Sequence, residues 1–183
     1  MDSFKGFLKR IVESLNASGL DYMFTGALAV SYYGRARTTV DVDVIVAAVG
    51  RGWRERLISA LQKAGLIVEE KKLGDALKSS YFIATFKDSK SPLTLDVILS
   101  KEKLAKRHGK ILGLQTYYQT PEDLVLAKLR MIRATVPRER AIKDVEDVKA
   151  ILKFTRVNLA VVKRKAVKEG TLEILEGIMT QEG

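Results

Sequence analysis

The sequence predicts an α+β fold, with a mixed α/β sheet followed by a C-terminal helical bundle. Three observations carry this. Runs such as "TTVDVDVIVAA" and "LTLDVIL" alternate with period two, as strands do. Other runs place apolar residues three and four apart, as helices do. Past residue 100 the strand patterns stop and helical ones take over.

Taken in order, "MDSFKGFLKRIVESL" spaces Phe4, Phe7, Leu8, Ile11, Val12 and Leu15 for one helix face. "LDYMFTG" reads as a short strand ending at Gly26, and "ALAVSYYG" as a helix from Ala27 towards Gly34. "TTVDVDVIVAA" is a second strand, and "GWRERLISALQKAG" a helix closed by Gly65 in a left-handed position. "LIVEEKK" is expected as an edge strand, and "SYFIATF" and "LTLDVIL" as two more across the turn "KDSKSP". In "TPEDLVLAKLRMIRA", Thr120 serves as N-cap, Pro121 takes the first helical position and acidic residues fill the first turn. "RERAIKDVEDVKAILKF" continues helically through Ile142, Val145, Val148 or Lys149, and Leu152, and the tail holds two short helices broken at Gly170. The expected division is a sheet-bearing core over 1–115 and a helical region over 116–183 that packs on it.

Composition narrows the chemistry. With 183 residues and 46% apolar content the chain can bury a core. Thirty-two Lys and Arg against 22 Asp and Glu give a net charge of +10, which attracts phosphate-bearing partners; a lysine-rich solubilising surface is the plainer account. The absence of cysteine excludes disulfides, zinc thiolates and thiol nucleophiles. A single histidine, His108 in "KRHGK", argues against a histidine triad. Sparse Asn and Gln beside abundant Lys, Arg and Glu fit a thermophile. The N-terminus lacks signal-peptide character and no apolar run is long enough to span a bilayer, so a cytoplasmic protein with no membrane partner is expected.

The informative residues are aspartates. In a strand, residues two apart share a face about 6 to 7 Å from one another, so Asp41 and Asp43 point one way and Val40, Val42 and Val44 the other. A solvated polar strand face is the bland explanation. Against it, aspartate is a poor strand former, and neighbouring carboxylates repel unless a cation or proton intervenes. Mg²⁺ suits such oxygens and accepts substrate phosphates as further ligands. Asp96, set among Leu93, Leu95, Val97, Ile98 and Leu99, needs a partner as well. If the two strands are neighbours, the three carboxylates converge as a ligand set for two metal ions. Gly26, opening a helix, lets the backbone approach a ligand and presents free N–H groups to phosphate; an ordinary tight turn is the alternative. Neither a Walker lysine motif nor a GxGxxG fingerprint is present.

The order of strand, "TGALAV" turn into helix, "GRARTTVDVDV" and a lone later aspartate resembles the nucleotidyltransferase superfamily with the DNA polymerase β-like fold. The closest likeness is to its minimal bacterial and archaeal branch, which includes the AbiEii/AbiGii-type toxins. Arg37, Thr39, Asp41 and Asp43 match that branch's R-x-T-x-D-x-D pattern, and Gly26 matches the first glycine of the turn. Ala27 stands where the family has glycine or serine, so backbone N–H groups alone would serve there. "PEDLVLAKL" and "RAIKDVEDVKAIL" resemble helical segments of the same branch, and the matching stretches span roughly residues 22–152.

The resemblance implies a Mg²⁺- or Mn²⁺-dependent enzyme that moves a nucleoside monophosphate from an NTP to an acceptor hydroxyl, releasing pyrophosphate. Asp41, Asp43 and Asp96 would hold metal, with Asp96 also activating the acceptor; Lys128 would join the catalytic set. Thr25, Gly26, Ala27, Arg37, Thr39, Lys143, Asp144 and Asp147 would contact nucleotide. For Lys143, Asp144 and Asp147 a salt-bridged surface helix explains the same spacing. The implied partners are the NTP, an acceptor on RNA or tRNA, protein or a small molecule, and a cognate antitoxin or toxin. Two other readings stand beside it: a non-catalytic nucleotide- or RNA-binding regulatory module on the same fold, and a two-metal nuclease or phosphodiesterase.

Overall fold

The computed structural model describes residues 3–37 and 39–180. Its elements are α1 (Phe4–Ala17), β1 (Tyr22–Phe24), α2 (Gly26–Tyr33), β2 (Asp41–Ala47), α3 (Trp53–Lys63), β3 (Leu66–Ile67), α4 (Glu70–Lys78), β4 (Ile83–Asp88), β5 (Thr94–Ser100), β6 (Lys106–Ile111), β7 (Leu114–Gln119), α5 (Pro121–Ala134), α6 (Ile142–Phe154), α7 (Leu159–Glu169) and α8 (Leu172–Thr180). The fold is α+β, as the alternating and helical patterns predict. The chain divides into two compact units, one formed by Met1–Leu28 and Thr38–Gln119, the other by Ala29–Arg37 and Thr120–Gly183.

The first unit carries a seven-stranded mixed sheet in the order β3-β4-β5-β2-β1-β7-β6. β2 runs parallel to β5 and β1 parallel to β7, while the remaining neighbours are antiparallel. Strict alternation along β2 and β5 buries Val42, Val44, Val46, Leu95, Val97 and Leu99 on one face. The apolar stripes of α1 (Phe7, Ile11, Val12, Leu15) and α3 (Leu57, Leu61) are buried too. Each such side chain contributes about 1.5–3 kcal/mol by leaving water. α1 begins where Ser3 Oγ accepts from the Gly6 N–H at 3.2 Å, and Arg10 reaches from it to the buried Asp88 at 2.7 Å. The opposite face of β2 and β5 holds Asp41, Asp43, Thr94 and Asp96, none of them fully buried.

Two segments differ from the sequence expectation. The edge strand over "LIVEEKK" shrinks to Leu66–Ile67, and the chain turns into α4, because Leu73 and Ala76, three apart, are both buried on one helix face. α4 lies beside β4, where β3 pairs only as far as Lys87 and Asp88. The local sequence pattern does not disclose the hairpin of β6 and β7: "KRHGKI" is basic and lacks the alternation of a half-buried strand, because β6 is the outermost strand of the sheet. Its two-residue loop is Leu112 and Gly113, both at positive φ, as a tight hairpin of primed type requires.

The second unit is helical. Thr120 caps α5 by accepting from the Asp123 N–H at 3.3 Å, with Pro121 in the first turn, as read from the sequence. Gly170 closes α7 at φ 66°. On α6 the buried face is Asp147, Val148, Ala150 and Ile151, whereas Ile142, placed on that face by spacing, is exposed. The segment Ala29–Arg37 belongs to this unit, where Thr155 Oγ1 donates to the Tyr33 carbonyl. It also comes close to α6, since a Cβ on Gly34 would stand 3.0 Å from Cβ of Ala150. Among the described residues, no helix is long and apolar enough to cross a membrane.

Candidate active site

The parallel pairing of β2 with β5 sets Asp43 directly against Asp96 and Asp41 against Thr94. The antiparallel pairing of β4 with β5 extends both rows, adding Thr85 beside Asp96 and Lys87 beside Thr94. Neighbouring strands lie about 4.8 Å apart, so the two aspartates form a close pair on the sheet's less buried face. Asp41 stands one pleat further towards the strand start and is exposed. The next row along is Ile45, Ile98 and Ile83, where the polar region passes into apolar surface.

Each member of the close pair has a neighbour on its outer side. For Asp43 it is Gly26, whose φ of 60° lies in the left-handed region. A Cβ on Gly26 would stand 2.2 Å from Oδ2 of Asp43, so glycine is required both by backbone conformation and by the carboxylate against it. For Asp96 it is Thr85, whose hydroxyl donates to Oδ1 at 2.6 Å. The turn before Gly26 is tied down as well. The Thr25 N–H donates to the Asp43 carbonyl at 3.0 Å, and the buried Thr25 hydroxyl donates to Gln119 Oε1 at 2.6 Å. Ala27 is buried, which suits a small apolar residue. At the entry to β2, the Thr39 hydroxyl donates to the Asp41 carbonyl and accepts from its N–H, both at 3.1 Å.

In the second unit, Asp147 has a side chain only 8% exposed and accepts from both Arg37 and Lys128, the latter at 2.9 Å. Lys128, itself 12% exposed, also reaches Asp144 at 2.7 Å. Four of the residues singled out in the sequence thus form one ion-pair cluster across 110 positions of chain, from Arg37 to Asp147. Lys143 is not part of it: the residue is exposed and makes no ion pair among the described residues.

Asp43 and Asp96 stand at paired positions of the register with Asp41 one pleat away, and their hard carboxylate oxygens suit the donor chemistry of Mg²⁺ or Mn²⁺. The side chains as placed do not close into a ligand cage; among the described residues no three Asp, Glu or His side chains are gathered tightly enough for that. The sheet register therefore supplies two adjacent carboxylates, and the third stands at the exposed start of β2.

No local sequence pattern singles out Thr85 or Gln119. Thr85 falls in "FIATF", where alternation places it on the face of Ile83, but only the register of β4 on β5 puts it beside Asp96. Gln119 ends β7, a strand the sequence pattern did not disclose.

No protein-family model matches the chain, and no curated protein matches it. Its fold does match solved structures. The structure of ANT(2'')-Ia in complex with adenylyl-2''-tobramycin aligns at TM-score 0.58 and 12% identity, over 96% of this chain and 97% of that one. An antigenic nucleotidyltransferase-like protein from Paracoccidioides brasiliensis aligns at TM-score 0.57 and 14% identity, over 94% and 93%. The lincosamide antibiotic adenylyltransferase LnuA, bound to lincomycin, aligns at TM-score 0.51 and 12% identity, over 79% and 96%. The chain has the fold of the nucleotidyltransferases.

Proposed function

We propose that this chain, with its nucleotidyltransferase fold, transfers a nucleoside monophosphate from an NTP to an acceptor hydroxyl on RNA, protein or a small molecule. The observation that carries the reading is the register of Asp43 against Asp96 beside the Gly26 turn. One structure of the same fold is a complex with adenylyl-2''-tobramycin and another is of an antibiotic adenylyltransferase, which supports adenylyl transfer as the form of the reaction.

In the proposed reaction the acceptor oxygen bonds to the α-phosphorus, the bond from that phosphorus to the bridging oxygen breaks, and pyrophosphate leaves. Catalysis is then mostly positioning and charge stabilisation. Asp96 takes the hydroxyl proton. Asp41, Asp43 and Asp96 hold Mg²⁺ or Mn²⁺, which when bound supplies Lewis-acid polarisation of phosphoryl oxygen and a more acidic hydroxyl. The backbone from Thr25 to Ala27 receives the triphosphate at the start of α2, where N–H groups favour anions. Thr39 holds Asp41 at the strand entry. Nucleotide contacts are assigned to Arg37, Lys128, Lys143, Asp144 and Asp147. Arg37 and Lys128 must exchange Asp147 for phosphate to act in this way, whereas Lys143 already faces solvent.

Calorimetry with each NTP in the presence of Mg²⁺ or Mn²⁺ tests the binding half of the proposal, and absence of metal-dependent binding sinks it. Incubation with total RNA, protein extract and each of four labelled NTPs tests transfer and identifies the acceptor class. Labelled product with released pyrophosphate is expected; release of free monophosphate alone would instead indicate hydrolysis.

A further inference from the structure

We infer that Thr85 is a positioning residue that orients the carboxylate of Asp96 for cation binding, an inference that rests on the metal-dependent reading above. Across the sheet the order is Thr85 on β4, Asp96 on β5, Asp43 on β2 and the Gly26 turn after β1. The two carboxylates are therefore bracketed. Gly26 bounds Asp43 on one side, and Thr85 holds Asp96 on the other through its 2.6 Å hydrogen bond to Oδ1.

A carboxylate in a strand has a broad terminal torsion, so without a partner its two oxygens sample many directions. Neighbouring Asp43 repels Asp96 and favours turning it away from the pair. Donation from Thr85 to Oδ1 opposes that rotation and leaves Oδ2 to face a cation or an incoming hydroxyl. Hydrogen bonds from a second ring of residues set ligand direction in metal sites generally. Thr85 is exposed, so water replaces the bond once the hydroxyl is removed. The loss then falls on orientation, and stability is barely touched. Valine is at least as good a strand former as threonine, so Thr85→Val keeps β4 intact.

The test titrates Mn²⁺ alone, without nucleotide, into wild type, Thr85→Val and Thr85→Ser, with metal-free melting as a control. Thr85→Val is expected to weaken Mn²⁺ binding about tenfold. It should also lower kcat for labelled-nucleotide transfer with little change in nucleotide KM, while Thr85→Ser, which keeps the hydroxyl, restores both. Equal Mn²⁺ affinity in wild type and Thr85→Val overturns the inference and leaves the proposed function standing. So does a Thr85→Ser variant as poor as valine, or a loss of affinity matched by a collapse in melting temperature. A wild-type chain that binds no Mn²⁺ overturns both the metal-dependent reading and this inference.

Discussion

The carboxylate of Asp43 occupies the space that any side chain at Gly26 would need, with Oδ2 2.2 Å from the position of an added Cβ. The backbone there is also left-handed, at φ 60°. Two demands therefore meet at one residue: the end of β1 must turn tightly, and the turn must sit against the aspartate of the neighbouring strand.

Gly26→Ala should accordingly impair the site more than the fold. Placing alanine at positive φ costs about 1 kcal/mol, and the methyl group must push the Asp43 carboxylate aside. A shift of that kind is expected to cut labelled-nucleotide transfer about a hundredfold, with a melting temperature lower by only a few degrees. Transfer at wild-type rate by this variant would remove Asp43 from the proposed site.

Like charges set side by side across a ladder destabilise a sheet by about 0.2–1 kcal/mol. Asp96→Asn is therefore expected to raise metal-free stability by a few tenths of a kcal/mol while abolishing transfer, and Asp41→Ala with Asp43→Ala to abolish transfer with the circular dichroism spectrum unchanged. Mg²⁺ should raise the melting temperature of the wild type and leave that of Asp96→Asn in place. Thermal melts with and without Mg²⁺ separate these outcomes.

Asp147 is the shared acceptor of Arg37 and Lys128. Removing it as Asp147→Ala takes the shared carboxylate from Arg37 and leaves Lys128, 12% exposed, with Asp144 alone, a loss of about 1–3 kcal/mol. Denaturant unfolding should show a loss of this order. Exposed Lys143→Ala should stay within about 0.5 kcal/mol of wild type. Equal and small effects from both would mean that the cluster adds nothing to the helical unit.

Asp21 gives a pH signature apart from the site. Burial pushes its carboxyl up, but the hydrogen bond from Lys106 at 2.6 Å, the Leu104 N–H at 3.0 Å and the charges of Lys106 and Lys103 outweigh this and hold it below 3.8. A lowered carboxyl contributes stability above its unfolded value and loses it as pH falls through the folded one. Asp21→Asn should therefore be less stable than wild type at neutral pH, with the gap narrowing as pH drops below about 4. Denaturation midpoints followed from neutral pH into acid check the sign, and a constant gap would count against it.

Local patterns were legible because they depend on neighbours in the chain. The alternation of Val42, Val44 and Val46 with Asp41 and Asp43 announced a half-buried strand and the face its carboxylates take. Thr120 and Pro121 announced α5 at its first turn, and Gly170 the end of α7. Where burial was weak or the apolar stripe short, that signal failed. β6 is outermost and basic, and α4 shows only Leu73 and Ala76 to the core, so neither left a clear period.

The sequence by itself thus determined the fold class, the strand carrying Asp41 and Asp43, the strand carrying Asp96 and the glycine turn at Gly26, since each follows from spacing over a few residues. Only the tertiary structure decided that β2 lies parallel to β5 with Asp43 against Asp96, that Thr85 holds Asp96, and that Arg37 and Lys128 share Asp147. Strand register and ion pairing join residues far apart in the chain. They are chosen by which faces bury together and which charges must then be satisfied, and no local period records that choice.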